Sequence, residues 1–130
     1  MIVVDASALL DAVLESRTDG VLDSIAAAEE TLHAPQLVDL EVVSGLRRLS
    51  RNGQLPLAQA ESCLRTFRMI RIRRHSHEPL LQRIWELRSS LTAYDAAYVA
   101  LAELLGCTLL TANARLARSA GHQATIRLVS

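Results

Sequence analysis

The sequence predicts an α/β fold of three layers, with a central parallel sheet of about four to five strands flanked by helices. Two observations lead there. Apolar runs of strand length alternate with stretches of helical periodicity, the order that successive βαβ units require. The 130 residues are also half hydrophobic yet only 3% aromatic, a composition suited to one core of Leu, Val, Ile and Ala. A single domain over residues 1–130 is expected, without repeat, linker or low-complexity tract.

Taken in order, Ile2-Val3-Val4 makes the first strand, at 1–4, and helices follow at about 7–15 and 20–28. A strand at about 31–34 leads through Pro35 into a helix at 36–51, which Gly53 and Pro56 separate from the next, at 56–68. A strand at about 70–74 precedes helices at 78–90 and 93–105. Gly106 closes the second of these in the manner of a C-cap. The strand at 107–111, a helix at 114–119 closed near Gly121 and a last strand at 125–129 complete the pattern. In the helix at 36–51, Val38, Val42, Leu46 and Leu49 share one side, Ser44, Arg47 and Arg51 take the other, and Glu41 falls at the border.

Several chemistries are excluded by residue content. Every base is arginine, because the chain has no lysine. Lysine-dependent mechanisms are absent, including those of receiver domains and haloacid-dehalogenase-like phosphatases. Neither Gly-x-Gly-x-x-Gly nor Gly-x4-Gly-Lys occurs. Cys63 and Cys107 lie far apart in apolar contexts and read as buried thiols of a reducing compartment. The four histidines show no metal spacing, and His75-Ser-His77 reads as loop surface. No signal peptide or membrane span is visible, so a cytoplasmic protein is expected.

The formal net charge of zero conceals a segregation. Residues 1–43 hold nine acids and one arginine; residues 44–88 hold ten arginines and three acids. A basic middle can attract an anion beside an acidic start.

Three acids stand out within that acidic, apolar background. Asp5 follows the first strand, where open α/β sheets bind ligands. Asp95 begins the nearly all-apolar helix 93–105, where a charge must be paired, capped or bound to metal. Glu41 borders its helix. Three carboxylates without a His or Cys companion suit a hard divalent cation held by oxygen. Each also has a simpler reading: Asp5 as a helix cap, Thr92-x-x-Asp95 as a variant capping box, Glu41 as a solvated side chain. Asn113, after Thr111, reads as a plain cap, or as a neighbour of Asp5 and Asp95 if the first and fourth strands adjoin.

Four segments appear in one order over nearly the whole chain: Ile2-Val-Val-Asp5-Ala-Ser7-Ala-Leu, Pro35-x5-Glu41-Val, Leu91-Thr92-x-x-Asp95-Ala-x-Tyr98-x-Ala-Leu-Ala and Leu110-Thr111-x-Asn113-x-Arg115-Leu116. Together they resemble the PIN-domain ribonucleases, specifically VapC-type toxins of toxin–antitoxin pairs. The resemblance implies a three-layer PIN-like domain that cleaves RNA with Mg²⁺ or Mn²⁺. Asp5 and Asp95 would bind the cation, with Glu41 as a further ligand or water-orienting base. Ser7, Thr92 and Thr111 would support them. Asn113 is a departure, since aspartate is common there; it keeps a carbonyl but loses a charge, which disfavours a second cation. Phosphate contacts are expected from Arg47, Arg48 and Arg51, and from the group that includes Arg65, Arg68, Arg71, Arg73 and Arg74. The resemblance also implies a small antitoxin partner, seated on apolar faces of the helices at 20–28, 36–51 and 56–68, and a homodimer. A catalytically weak scaffold that binds RNA or protein is the alternative.

Overall fold

The computed structural model describes residues 1–14 and 29–129. The helix expected at 20–28 and the last residue of that at 7–15 lie outside them. Five strands, β1 (Ile2–Val4), β2 (Leu32–Pro35), β3 (Ile72–His75), β4 (Thr108–Thr111) and β5 (Ile126–Leu128), form one sheet in the order β3-β2-β1-β4-β5. All its pairings are parallel. The chain builds outward from β1 to β3 and then returns to the other side of β1 with β4. The β1–β4 seam, in register Val3 to Leu109, is therefore the switch point, where an open α/β sheet leaves a crevice at its carboxyl edge.

Helices α1 (Ala6–Leu14), α2 (Val38–Arg51), α3 (Leu57–Met69), α4 (Leu81–Glu86), α5 (Ala93–Leu105) and α6 (Ala114–Ala117) flank the sheet. Val3, Val4, Ala34, Leu109 and Leu110 from the strands meet Leu9, Val38, Val42, Val99 and Leu101 from the helices in a continuous core. Helix α5 matches its expected bounds because both ends are chemically marked. The Thr92 hydroxyl accepts the Asp95 N–H at 3.2 Å, and Gly106 adopts the left-handed φ of 65° that terminates the helix.

Four expectations need correction. The helix expected at 78–90 is a 3₁₀ turn, Glu78–Leu80, followed by the short α4. Pro79 lies in its opening positions and supplies no N–H; beyond Glu86 the Leu87 N–H is shared between the Arg83 and Ile84 carbonyls, and the Arg88 N–H turns to Trp85 three residues back, which ends the α-helical ladder. The helix expected at 114–119 ends at Ala117, where the Ser119 hydroxyl donates to the Leu116 carbonyl at 2.6 Å. His75-Ser-His77 is loop surface only in part: Ser76 is an exposed loop residue, but both histidines are half-buried and hydrogen-bonded. His75 closes β3 and shares a 2.8 Å hydrogen bond with His33 across the sheet, while His77 accepts the Leu37 N–H at 3.0 Å. Cys63 and Cys107 are free thiols, half-buried rather than fully enclosed. Among the described residues no helix is long and apolar enough to cross a membrane.

Candidate active site

Asp5 is the first residue beyond β1. Its N–H donates to the Leu110 carbonyl at 3.1 Å, which ties it to β4 across the switch point. Its carboxylate accepts the Ser7 hydroxyl (2.7 Å) and the Ala8 N–H (2.9 Å) on Oδ1, and the Thr111 hydroxyl on Oδ2. The helix-cap reading of Asp5 is therefore real, yet the residue also lines a pocket. That pocket, about 340 Å³ in volume, gathers Asp5, Glu41, Asp95 and Asn113 with Ser7, Arg48 and Tyr98. Residues spread over most of the chain converge there because β1 and β4 adjoin, α5 packs over both, and α2 packs against α1, which follows Asp5.

Glu41 stands half-buried on α2, as its border angle predicts, and its Oε1 accepts the Tyr98 hydroxyl at 2.6 Å. Tyr98 received no role from the sequence. The available signal was its position one turn after Asp95 on an apolar helix, where a buried phenol needs a polar partner. Gly45, one turn after Glu41, is the side-chain-free neighbour that the helical angle places beside it, and it lines the same pocket. A Cβ there would meet Leu10 Cδ1 at 2.5 Å, so the missing side chain lets α1 approach α2 beside the acids.

All three carboxyls are pushed above the ordinary carboxylate range. For Asp5, burial outweighs the hydrogen bonds from Thr111, Ala8 and Ser7, and the Asp95 charge adds to it. Burial also raises Glu41, against the Tyr98 hydrogen bond, with Asp95 and Asp5 contributing. Asp95 is raised by burial, which Arg115 and Thr92 only partly offset. None of the three forms an ion pair with a described residue. Mutually repelling, desolvated carboxylates facing one cavity are a donor set that a hard cation would relieve. Among the described residues, no three acidic, His or Cys side chains stand close enough together to hold an ion by themselves. The pocket fits a cation such as Mg²⁺, which retains waters and binds through one or two carboxylates, better than a closed protein cage.

The supporting residues differ in what they do. Ser7 and Thr111 hold Asp5 directly and approach each other at 3.2 Å. Thr92 caps α5 through the Asp95 N–H. Asn113 caps α6, its Oδ1 accepting from Arg115 N–H (3.0 Å) and Leu116 N–H (3.4 Å), so the oxygen that would ligate is already shared.

Of the candidate arginines, only Arg48 lines the acid pocket. Arg47 and Arg51 border a separate apolar cleft between α2 and α3, formed by Val43, Leu46, Leu57 and Leu64. Arg73 and Arg74 stand on edge strand β3. Arg74 is committed to Asp39, with contacts of 2.7 to 2.9 Å, and its guanidinium lies 5.9 Å from the centre of the Phe67 ring. Arg65, Arg68 and Arg71 are exposed away from the acids.

Comparison with known proteins identifies the family. The PIN domain family model matches residues 2–121. Ribonuclease VapC9 of Mycobacterium tuberculosis is 48% identical over 129 residues, which cover 99% of this chain and 98% of its own. Ribonuclease VapC3 of the same organism is 41% identical over 120 residues, covering 91% and 86% respectively. The crystal structure of PAE2754 from Pyrobaculum aerophilum superposes with a TM-score of 0.73 at 26% identity, over 96% of this chain and 81% of that one. The chain belongs to the PIN-domain family and, within it, to the VapC ribonucleases.

Proposed function

We propose that the chain is a Mg²⁺- or Mn²⁺-dependent endoribonuclease, the toxin of a toxin–antitoxin pair. The observation that carries this reading is the convergence of Asp5, Glu41 and Asp95, all raised and none ion-paired with a described residue, in one pocket at the sheet's switch point. Asp5 and Asp95 would hold the cation. When bound, it supplies an acidified water and neutralises charge developing on the phosphoryl oxygens.

The chain's own residues then divide the remaining work. Ser7, Thr111 and the Ala8 N–H fix the Asp5 carboxylate so that it need not reorganise during reaction. Tyr98 holds one oxygen of Glu41 and leaves the other to orient the attacking water and accept its proton. Arg48, on the wall beside Glu41, faces the phosphate backbone.

The named relatives support a small antitoxin as partner. The apolar cleft between α2 and α3 supports a helical docking mode for it. A homodimer and a cytoplasmic setting belong to the same reading. The second reading, a weakly catalytic scaffold that binds RNA or protein, is favoured by one observation. Asn113 contributes no charge, and its carbonyl oxygen is engaged in capping.

Cleavage of labelled single-stranded RNA with Mg²⁺, Mn²⁺ or EDTA separates the two. Cleavage with either cation, lost in EDTA and in a folded Asp5→Asn variant, is the expected result. RNA left intact in every condition but still bound would transfer the chain to the scaffold reading.

A further inference from the structure

A second cavity, of about 540 Å³, shares Asp95 with the acid pocket and none of its other residues. Arg115 and Arg118 stand on its wall with the hydroxyls of Ser90 and Thr92, and Leu91 and Leu116 line it as well. Both arginines are exposed, and neither forms an ion pair with a described acid. Leu116 is almost wholly covered and Leu91 partly, so their apolar surface is fixed by the core rather than free to collapse over the opening.

These groups form an incomplete set. Two exposed guanidiniums, of which Arg115 faces only the partly offset charge of Asp95, call for an anion with several acceptor oxygens, the geometry of a phosphate. Apolar side chains beside them suit a ring with an apolar face. The concavity admits one unstacked residue of a single strand rather than a duplex, whose bases stay stacked. Asp95 is the hinge between the two cavities. A strand with one phosphate at the carboxylates therefore has its adjoining residue within reach of the second.

We propose that this pocket seats the nucleotide next to the scissile phosphate, with its phosphate on Arg115 and Arg118 and its base against Leu91. The strand then crosses Asp95 from the Arg48 wall toward α6. Arg115 and Arg118 become substrate-positioning residues, which the charge-rich middle of the sequence did not single out. The inference rests on the nuclease reading of the acid pocket.

The test measures binding of a fluorescein-labelled single-stranded RNA of mixed sequence by anisotropy, in Mg²⁺ and across a series of KCl concentrations. A Glu41→Gln background holds cleavage back. Arg118→Ala should weaken binding several-fold, and Arg115→Ala with Arg118→Ala by about tenfold or more. The slope of log affinity against log salt should fall by about 0.7 for each phosphate contact removed. Both residues are exposed, so the melting temperature should hold and misfolding would not mimic the result. With Glu41 restored, Arg118→Ala should raise KM and leave kcat nearly unchanged.

A parent chain that neither binds nor cleaves RNA overturns both this inference and the nuclease reading. A parent that binds and cleaves, with arginine variants that match it in affinity and salt slope, overturns the nucleotide pocket alone and would leave the cavity to an acidic protein ligand.

Discussion

Helix α5 carries a carboxylate near each end, and the protein treats the two in opposite ways. Glu103 accepts the Arg83 guanidinium at 2.7 and 2.9 Å and the Gln123 N–H at 2.7 Å. Arg83 above all holds its carboxyl below the ordinary range. Asp95, two turns earlier, is pushed above that range by burial, and Arg115 relieves it only in part. A paired carboxylate fastens α5 to α4 and to the chain before β5. An unpaired one, facing Asp5 and Glu41, stores electrostatic tension that an incoming cation can release. Burial with only a partial counter-charge at Asp95, and a close ion pair at Glu103, separate the candidate catalytic acid from the structural one.

The strongest way to break this comparison is to neutralise each end in turn. Asp95→Asn should lower RNA cleavage by about 100-fold or more, while Glu103→Gln stays within about a factor of two. Equal losses would show that the contrast has no catalytic content. Stability in EDTA should move the other way. Asp95→Asn should melt above the parent at neutral pH, and Glu103→Gln should lose about 1 kcal/mol once solvent screening of the partly exposed Arg83 is allowed for.

Their pH dependence follows from the directions of the shifts. The raised carboxyl of Asp95 favours folding below its ordinary value of 3.8, and that contribution is lost as pH rises through its folded pKa. The lowered carboxyl of Glu103 contributes stability above its ordinary value of 4.5, lost as pH falls through its folded pKa. Denaturant titrations in EDTA should show both differences from the parent closing toward acid pH, from opposite signs.

Asn113→Asp sharpens the contrast by adding a fourth unpaired charge. Aspartate caps a helix as well as asparagine does, so α6 should persist while divalent affinity rises by about tenfold, or about 1.4 kcal/mol. Calorimetry with unchanged affinity and stoichiometry would make position 113 a cap and nothing more. A smaller effect is expected of Tyr98→Phe, which removes one hydrogen bond to Glu41. A loss of about 1 kcal/mol, roughly fivefold in kcat, should come with a shift of the acid limb of the rate profile to higher pH. A profile identical to the parent's would leave Tyr98 a packing residue.

The fold was legible wherever local chemistry marked an element. Thr92 and Gly106 bracket α5, and the apolar runs of β1 and β4 announce buried parallel strands. The approach of Asn113 to Asp5 and Asp95 could be anticipated from the adjacency of β1 and β4, whereas Glu41, on a helix, joined the set as an oxygen donor at its helix border and through the family resemblance. What stayed hidden depends on partners distant in sequence. Nothing near His75 reveals His33 across the sheet, and nothing near Arg74 reveals Asp39. The end of α4 depends on an N–H shared at Leu87 rather than on a breaker residue. The cavity at Arg115 and Arg118 exists only once the turn after α6 lies against the chain before α5.

Gly45 and Leu10 carry a consequence for how such chains diverge. A methyl at position 45 would strike a terminal methyl of Leu10, which itself lines the acid pocket. Leu10 can give way only by moving toward or out of that cavity, so an alanine at 45 trades a gain in helix propensity of about 1 kcal/mol against room for substrate. In lineages that keep the pocket open, positions 10 and 45 should therefore change together, a larger residue at one accompanying a smaller residue at the other.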